Sequence, residues 1–141
     1  MSRRRKLLAW VLVFLIGAVA FVYAQVDIAS KSIQFDLRLI GRSVYEARSK
    51  NGQWPARIED LDGTEYLNLP YRKTLLKQGH YVIVWYQDLD PKPNANRDRV
   101  LAYDNGSLLS RFGRVWVCRG DLHIEYMDRD ELRALLDRRK N

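Results

Sequence analysis

Cysteine is almost absent from this chain. Cys118 is alone among 141 residues, so no intrachain disulfide can staple the fold. His80 and His123 are the only histidines, and with one thiol they form no ligand spacing of the structural-zinc kind. The sequence has no serine-centred glycine elbow, no phosphate-cradling glycine loop and no arranged pair of carboxylates. It also lacks internal repeats and low-complexity tracts. No acidic residue precedes Asp27, and between Leu7 and Ala24 there is no charge of either sign.

What is present is unevenly placed. The length suits one compact domain and is too short for two ordinary ones. Lys and Arg number 24 against 17 Asp and Glu, a net charge of +7 that would normally point to nucleic acid. Arg3, Arg4, Arg5 and Lys6 hold four of the positives, and Arg138, Arg139 and Lys140 hold three. Residues 7–137 are therefore neutral overall, and a nucleic-acid partner is not expected. A small-molecule substrate is not evident either.

The uncharged run Leu7–Ala24 spans about 27 Å as a helix, close to the roughly 30 Å of bilayer hydrocarbon. Trp10 and Tyr23 sit near its ends, where amphipathic rings favour the membrane interface. The preceding Arg3–Lys6 cluster orients the segment with its N-terminus cytoplasmic. Val22-Tyr23-Ala24 before Gln25 also reads as a signal-peptidase site. The run exceeds the roughly 7–15 residues of a cleavable signal core, and the following residues continue a helical pattern, which favours a retained anchor. The expected organisation is a cytoplasmic segment 1–6, a transmembrane signal anchor 7–24 and an extracytoplasmic domain 25–141.

Beyond the anchor, Ile33, Leu37, Ile40, Val44 and Ala47 form one apolar helical stripe. Asn51-Gly52 should close that helix, since both residues tolerate left-handed backbone, and Trp54-Pro55 forces extended geometry. A helical turn is expected over Ala56–Leu61. The second half changes period. His80–Tyr86, Arg99–Tyr103, Arg114–Cys118 and Leu122–Met127 read as strands, the last two joined by Arg119-Gly120-Asp121. Asp128 with Glu131 fits a capping box opening a final helix, with Leu132, Leu135 and Leu136 inward. The expected fold is α+β: an N-terminal transmembrane helix continuing into an amphipathic helix, a small antiparallel sheet packed on it, and a short C-terminal helix.

Two sites present themselves. Asp88, Asp90, Asn94, Asn96 and Asp98 place oxygen ligands at alternating positions, as a Ca²⁺ loop requires, although Pro, Asn and nearby Lys92, Arg97 and Arg99 equally describe a solvated turn. His123 with His80, Cys118 or Glu125 would be the material for a metal site or a thiol nucleophile. Half-exposed strand histidines and a packed cysteine are the plainer reading.

The pattern Ile40-Gly41, Tyr45, Asn51-Gly52-Gln53-Trp54-Pro55 and Leu61, after a membrane helix, resembles the pilin-like subunits of type II secretion and type IV pilus systems. Val100–Asp104, Val115-Trp116-Val117 and Gly120–Tyr126 resemble the terminal hairpin of planctomycete-type members. Together these stretches cover about half the chain. The family's processing site, Gly-Phe, is replaced here by Lys6-Leu7-Leu8, and no glutamate follows it, so the resemblance is to an atypical pseudopilin-like protein. It implies a non-enzymatic, single-pass inner-membrane protein, a structural or accessory subunit whose partners are other membrane or pilin-like subunits. It also implies calcium for the 88–98 region, as in major pseudopilins; no other cofactor is expected. The alternative is a secreted or anchored envelope module, Ca²⁺-binding in one version, with no part in assembly.

Overall fold

A computed structural model describes residues 3–107 and 109–138. Of the two basic ends, Met1, Ser2, Arg139, Lys140 and Asn141 lie outside the described residues, as do the side chains of Arg3, Arg4 and Arg5. The first element is one helix, α1, Arg3–Asn51. The chain divides after Ser32 into two units.

In the first unit, α1 is exposed on every side, its apolar residues from Leu7 to Tyr23 included. This is the one described helix long and apolar enough to span a membrane.

The second unit begins at Ile33 and is mixed α+β. After α1 come a 3-10 turn at Ile58–Leu61, another at Tyr66–Asn68, then α2 (Pro70–Lys77) and β1 (Tyr81–Ile83). A further turn at Pro93–Asn96 leads to β2 (Val100–Asp104). A last one at Leu109–Phe112 leads to β3 (Arg114–Arg119), β4 (Ile124–Asp128) and α3 (Arg129–Asp137). The sheet is antiparallel throughout, in sequence order β1-β2-β3-β4.

The helical stripe read from the sequence is the side of α1 that is covered: Ile33, Leu37, Ile40, Val44 and Ala47 are all buried. Facing it are Tyr81, Ile83, Ala102 and Cys118, which share one side of the sheet by register. Val115, Val117 and Met127 occupy the other side, buried in the same core as Leu132 of α3, with Leu135 and Leu136 half-buried beside them. The sheet is thus covered on both faces. Helix and sheet come closest at Gly41. A Cβ built there would lie 2.8 Å from the Cys118 sulfur and 2.8 Å from a Leu122 methyl, so a larger residue would force those side chains to shift.

Local signals behave as their chemistry dictates, with four differences. Gly52 ends α1 in left-handed backbone (φ +74°), its N–H donating to Arg48 O at 2.9 Å. Trp54 then packs edge-on against Tyr45, ring centroids 5.4 Å apart. The first difference is α2, in a stretch to which the sequence patterns assign no element; Pro70 at its first position was the available signal. The second is β1, which is three residues and not seven. The third is the β3–β4 connection, which extends to His123 with Leu122 at φ +67°. The fourth concerns Asp128: it caps α3 by position, but its carboxylate makes no capping hydrogen bond and instead meets Arg114 Nε at 3.5 Å.

Candidate functional site

The 88–98 segment is held by an amide. Asn96 is buried, and its Nδ2 donates to the backbone O of Asp90 at 2.8 Å, to Lys92 O at 3.3 Å and to Tyr45 Oη at 2.8 Å. Its Oδ1 accepts the Asp90 N–H at 3.0 Å. Tyr45 in turn donates to Gly120 O at 2.7 Å, which fastens the loop and the β3–β4 hairpin to α1. A donor group therefore sits among the carbonyls that would otherwise be open to a cation. The remaining residues of the set are exposed and dispersed. Asp90 Oδ1 accepts the Lys92 N–H at 2.7 Å, and Asp88 pairs with Arg99 at 3.0 Å. Asn94 and Asp98 face solvent. Among the described residues no three His, Cys, Asp or Glu side chains are gathered as metal ligands.

The structure separates the two histidines. His80 precedes β1 and His123 precedes β4, the two outer strands, which start at opposite ends of the sheet. The expectation that they are neighbours is corrected on that topology. His80 is half-buried and its carbonyl accepts the N–H groups of Asn105 and Gly106; His123 is exposed. Glu125 is paired with Arg119. Cys118 is fully buried, and burial pushes its thiol pKa up to about 12, with Asp121 adding to the rise and Arg38 opposing it. That thiol stays protonated at neutral pH, unlike an activated nucleophile.

A buried polar cluster that sequence reasoning missed lies between α1, α2 and β1. Asp36 and Arg72 are both buried, with Arg72 Nη2 3.6 Å from Asp36 Oδ1. Tyr81 Oη donates to Asp36 Oδ2 at 3.1 Å, and Arg72 Nη1 donates to Tyr66 O at 3.3 Å while its guanidinium lies 5.1 Å over the Tyr66 ring. Desolvation raises the Asp36 pKa above its ordinary value, and the Tyr81 hydrogen bond and Arg72 charge only partly offset it. Burial, with the Asp36 charge beside them, also raises the Tyr66 and Tyr81 phenols. Asp36 reads from sequence as an ordinary exposed-face residue; only the arrival of Arg72, 36 positions on, gives it a partner. The cluster ties three elements together and opens into no described cleft.

Two open clefts flank α3. One, about 580 Å³, lies among Tyr86, Asp98, Arg99, Arg119, Leu135 and Arg138; within it Arg99 pairs with Asp88 and Arg119 with Glu125. The other, about 670 Å³, is a more apolar groove between Val82, Trp85 and Tyr103 and α3 residues Arg133 and Leu136. Neither gathers an acid, base and nucleophile at reacting distance.

No family model, curated protein or solved structure matches this chain.

Proposed function

We propose that this chain is a non-enzymatic, single-pass protein of the bacterial inner membrane. Its N-terminus is cytoplasmic, and its pilin-like domain acts in the periplasm as a structural or accessory subunit through protein–protein contacts. One observation carries the reading: α1 is apolar and uncovered around its whole circumference over 7–24, yet from Ile33 onward its apolar stripe is buried under the sheet. A helix left apolar all round requires a non-aqueous environment, whereas one stripe requires only a packed domain. The Arg3–Lys6 cluster supports the orientation. The Asn-Gly-x-Trp-Pro clasp after α1 and the terminal hairpin are the features that favour a pilin-like subunit. The buried thiol, the separated histidines and clefts that gather no acid, base and nucleophile favour interaction over catalysis.

The test uses the full chain with a C-terminal tag in a bacterial host. The expected result is a protein of intact mass that resists alkaline carbonate extraction, and whose domain is digested by protease added to spheroplasts. A start at Gln25 and recovery in the soluble periplasmic fraction would replace the anchor with a secreted module. Crosslinking in intact cells then reads the subunit claim: the expected product joins the chain to further copies or to other membrane subunits. A chain that remains uncrosslinked would remove the assembly role.

A further inference from the structure

From Ile33 onward the described residues expose only four large apolar side chains: Phe35 (56%), Leu69 (44%), Tyr71 (55%) and Phe112 (78%). They come from three separate stretches of chain, and all lie toward the end of the domain at which α1 enters. Phe35 is two residues past Ile33. Leu69 and Tyr71 open α2 beside Arg72, which is bound to Asp36. Phe112 precedes β3, and β3 advances in the same direction as α1: Cys118 abuts Gly41, and Gly120 meets Tyr45. Arg114 lies four residues before Cys118, about 13 Å along a strand toward the end at which α1 enters. Phe112 ends the turn that leads into β3 at that end. The opposite end, formed by Asn51–Gln53, loop 88–98 and the hairpin to His123, exposes Gln53, Asp88, Lys92, Asn94, Asp98 and His123 but no large apolar side chain.

We propose that the α1-entry end of the domain is a second membrane contact. Phe112, with Tyr71 and Phe35, seats in the interfacial layer of the bilayer that holds residues 7–24, and the exposed Arg111 beside Phe112 binds lipid phosphate. This rests on the anchor reading above. The occupant is set by the tether: Ala24 and Ile33 are nine residues apart, about 13 Å as helix and about 30 Å at full extension, so this end cannot travel far from the bilayer. Aromatic rings flanked by arginine are the side chains that partition to that layer, and guanidinium matches phosphate in bidentate geometry.

Spin labels at single introduced cysteines test it in the full chain, reconstituted in vesicles of phosphatidylcholine and phosphatidylglycerol; native Cys118 is fully buried. Labels go on Phe112→Cys, Gln53→Cys at the polar end and Phe14→Cys in the span. Collision with oxygen, which enriches in lipid, is compared with collision with a water-soluble nickel complex. The expected result is an oxygen-to-nickel ratio at 112 several-fold above that at 53 and below that at 14. A ratio at 112 equal to that at 53, with 14 in hydrocarbon, overturns the second contact and leaves the anchor standing. A label at 112 shielded from both reagents indicates a protein neighbour and also overturns it. A wet label at 14 overturns the anchor itself, and this proposal with it.

Discussion

Charge held out of water is the main energetic feature at the scale of single residues. Asp36 has two partners from different elements, Tyr81 and Arg72, and removing one leaves a buried charge uncompensated. Arg72→Ala should lower unfolding free energy by about 3 kcal/mol, and Asp36→Leu with Arg72→Met should recover most of that loss, since an apolar pair has no desolvation cost. Denaturant titration of the full chain in detergent measures both. The raised Asp36 pKa has a definite sign. Between the unfolded value near 3.8 and the higher folded value, the native state binds more protons than the unfolded chain, so this carboxyl's contribution to stability falls as pH rises through that window. Wild type should therefore gain stability relative to Asp36→Asn on acidification through the same window, a difference read from paired melting curves. Asn96 is a buried neutral amide that depends on its partners in the same way. Asn96→Ala removes donors to three oxygens and the acceptor for the Asp90 N–H, and should cost about 2 kcal/mol in the same titration.

Between elements, the decisive contact is the approach of α1 to β3. Gly41→Ala drives a methyl against Cys118 and Leu122, and should destabilise the domain by roughly 1–3 kcal/mol through overpacking. Cys118 reports on the same contact. Its buried, protonated thiol should react with a maleimide or a disulfide reagent orders of magnitude more slowly in the native chain than in denaturant. Fast reaction under native conditions would show that α1 and β3 separate readily. The elements themselves were largely legible. Period-3.6 and period-2 patterns report which side of an element is apolar, and here a single apolar stripe on α1 and β-branched strands left little ambiguity. The misses have physical causes. α2 is short and buries an arginine, so it lacks an apolar period. Asp128 is positioned to cap α3, but Arg114 across the hairpin offers its carboxylate a charged partner.

For the whole molecule, an all-round apolar stretch precedes a domain whose sheet is covered on both faces, and on the proposed anchor reading that stretch sets where the chain resides. An arginine at the centre of the span opposes insertion by about 2.5–3.5 kcal/mol. Val13→Arg should shift a measurable share of the chain from the carbonate-resistant to the soluble fraction without altering the near-UV spectrum of the domain. An unchanged partition would mean that residues 7–24 are not what holds the protein to the membrane. The +7 net charge has its meaning at this scale as well: residues 7–137 are neutral, so the surplus lies at the ends, and on the proposed anchor reading the part beside the apolar run orients it.

Sequence alone determined the uncharged run, the amphipathic helix after it, its stop at Asn51-Gly52, four antiparallel strands and a closing helix, because each depends on interactions within a few residues of itself. The candidate sites depended on tertiary structure, because their partners are distant in the chain. Asn96 proved to be a buried clamp on Tyr45, 51 positions away. His80 and His123 were parted by the order of the strands, and Asp36 acquired Arg72. The clustering of Phe35, Tyr71 and Phe112 toward one end has no sequence signature at all. Local periodicity records which residues must leave water, but only the packed chain decides which of them meet.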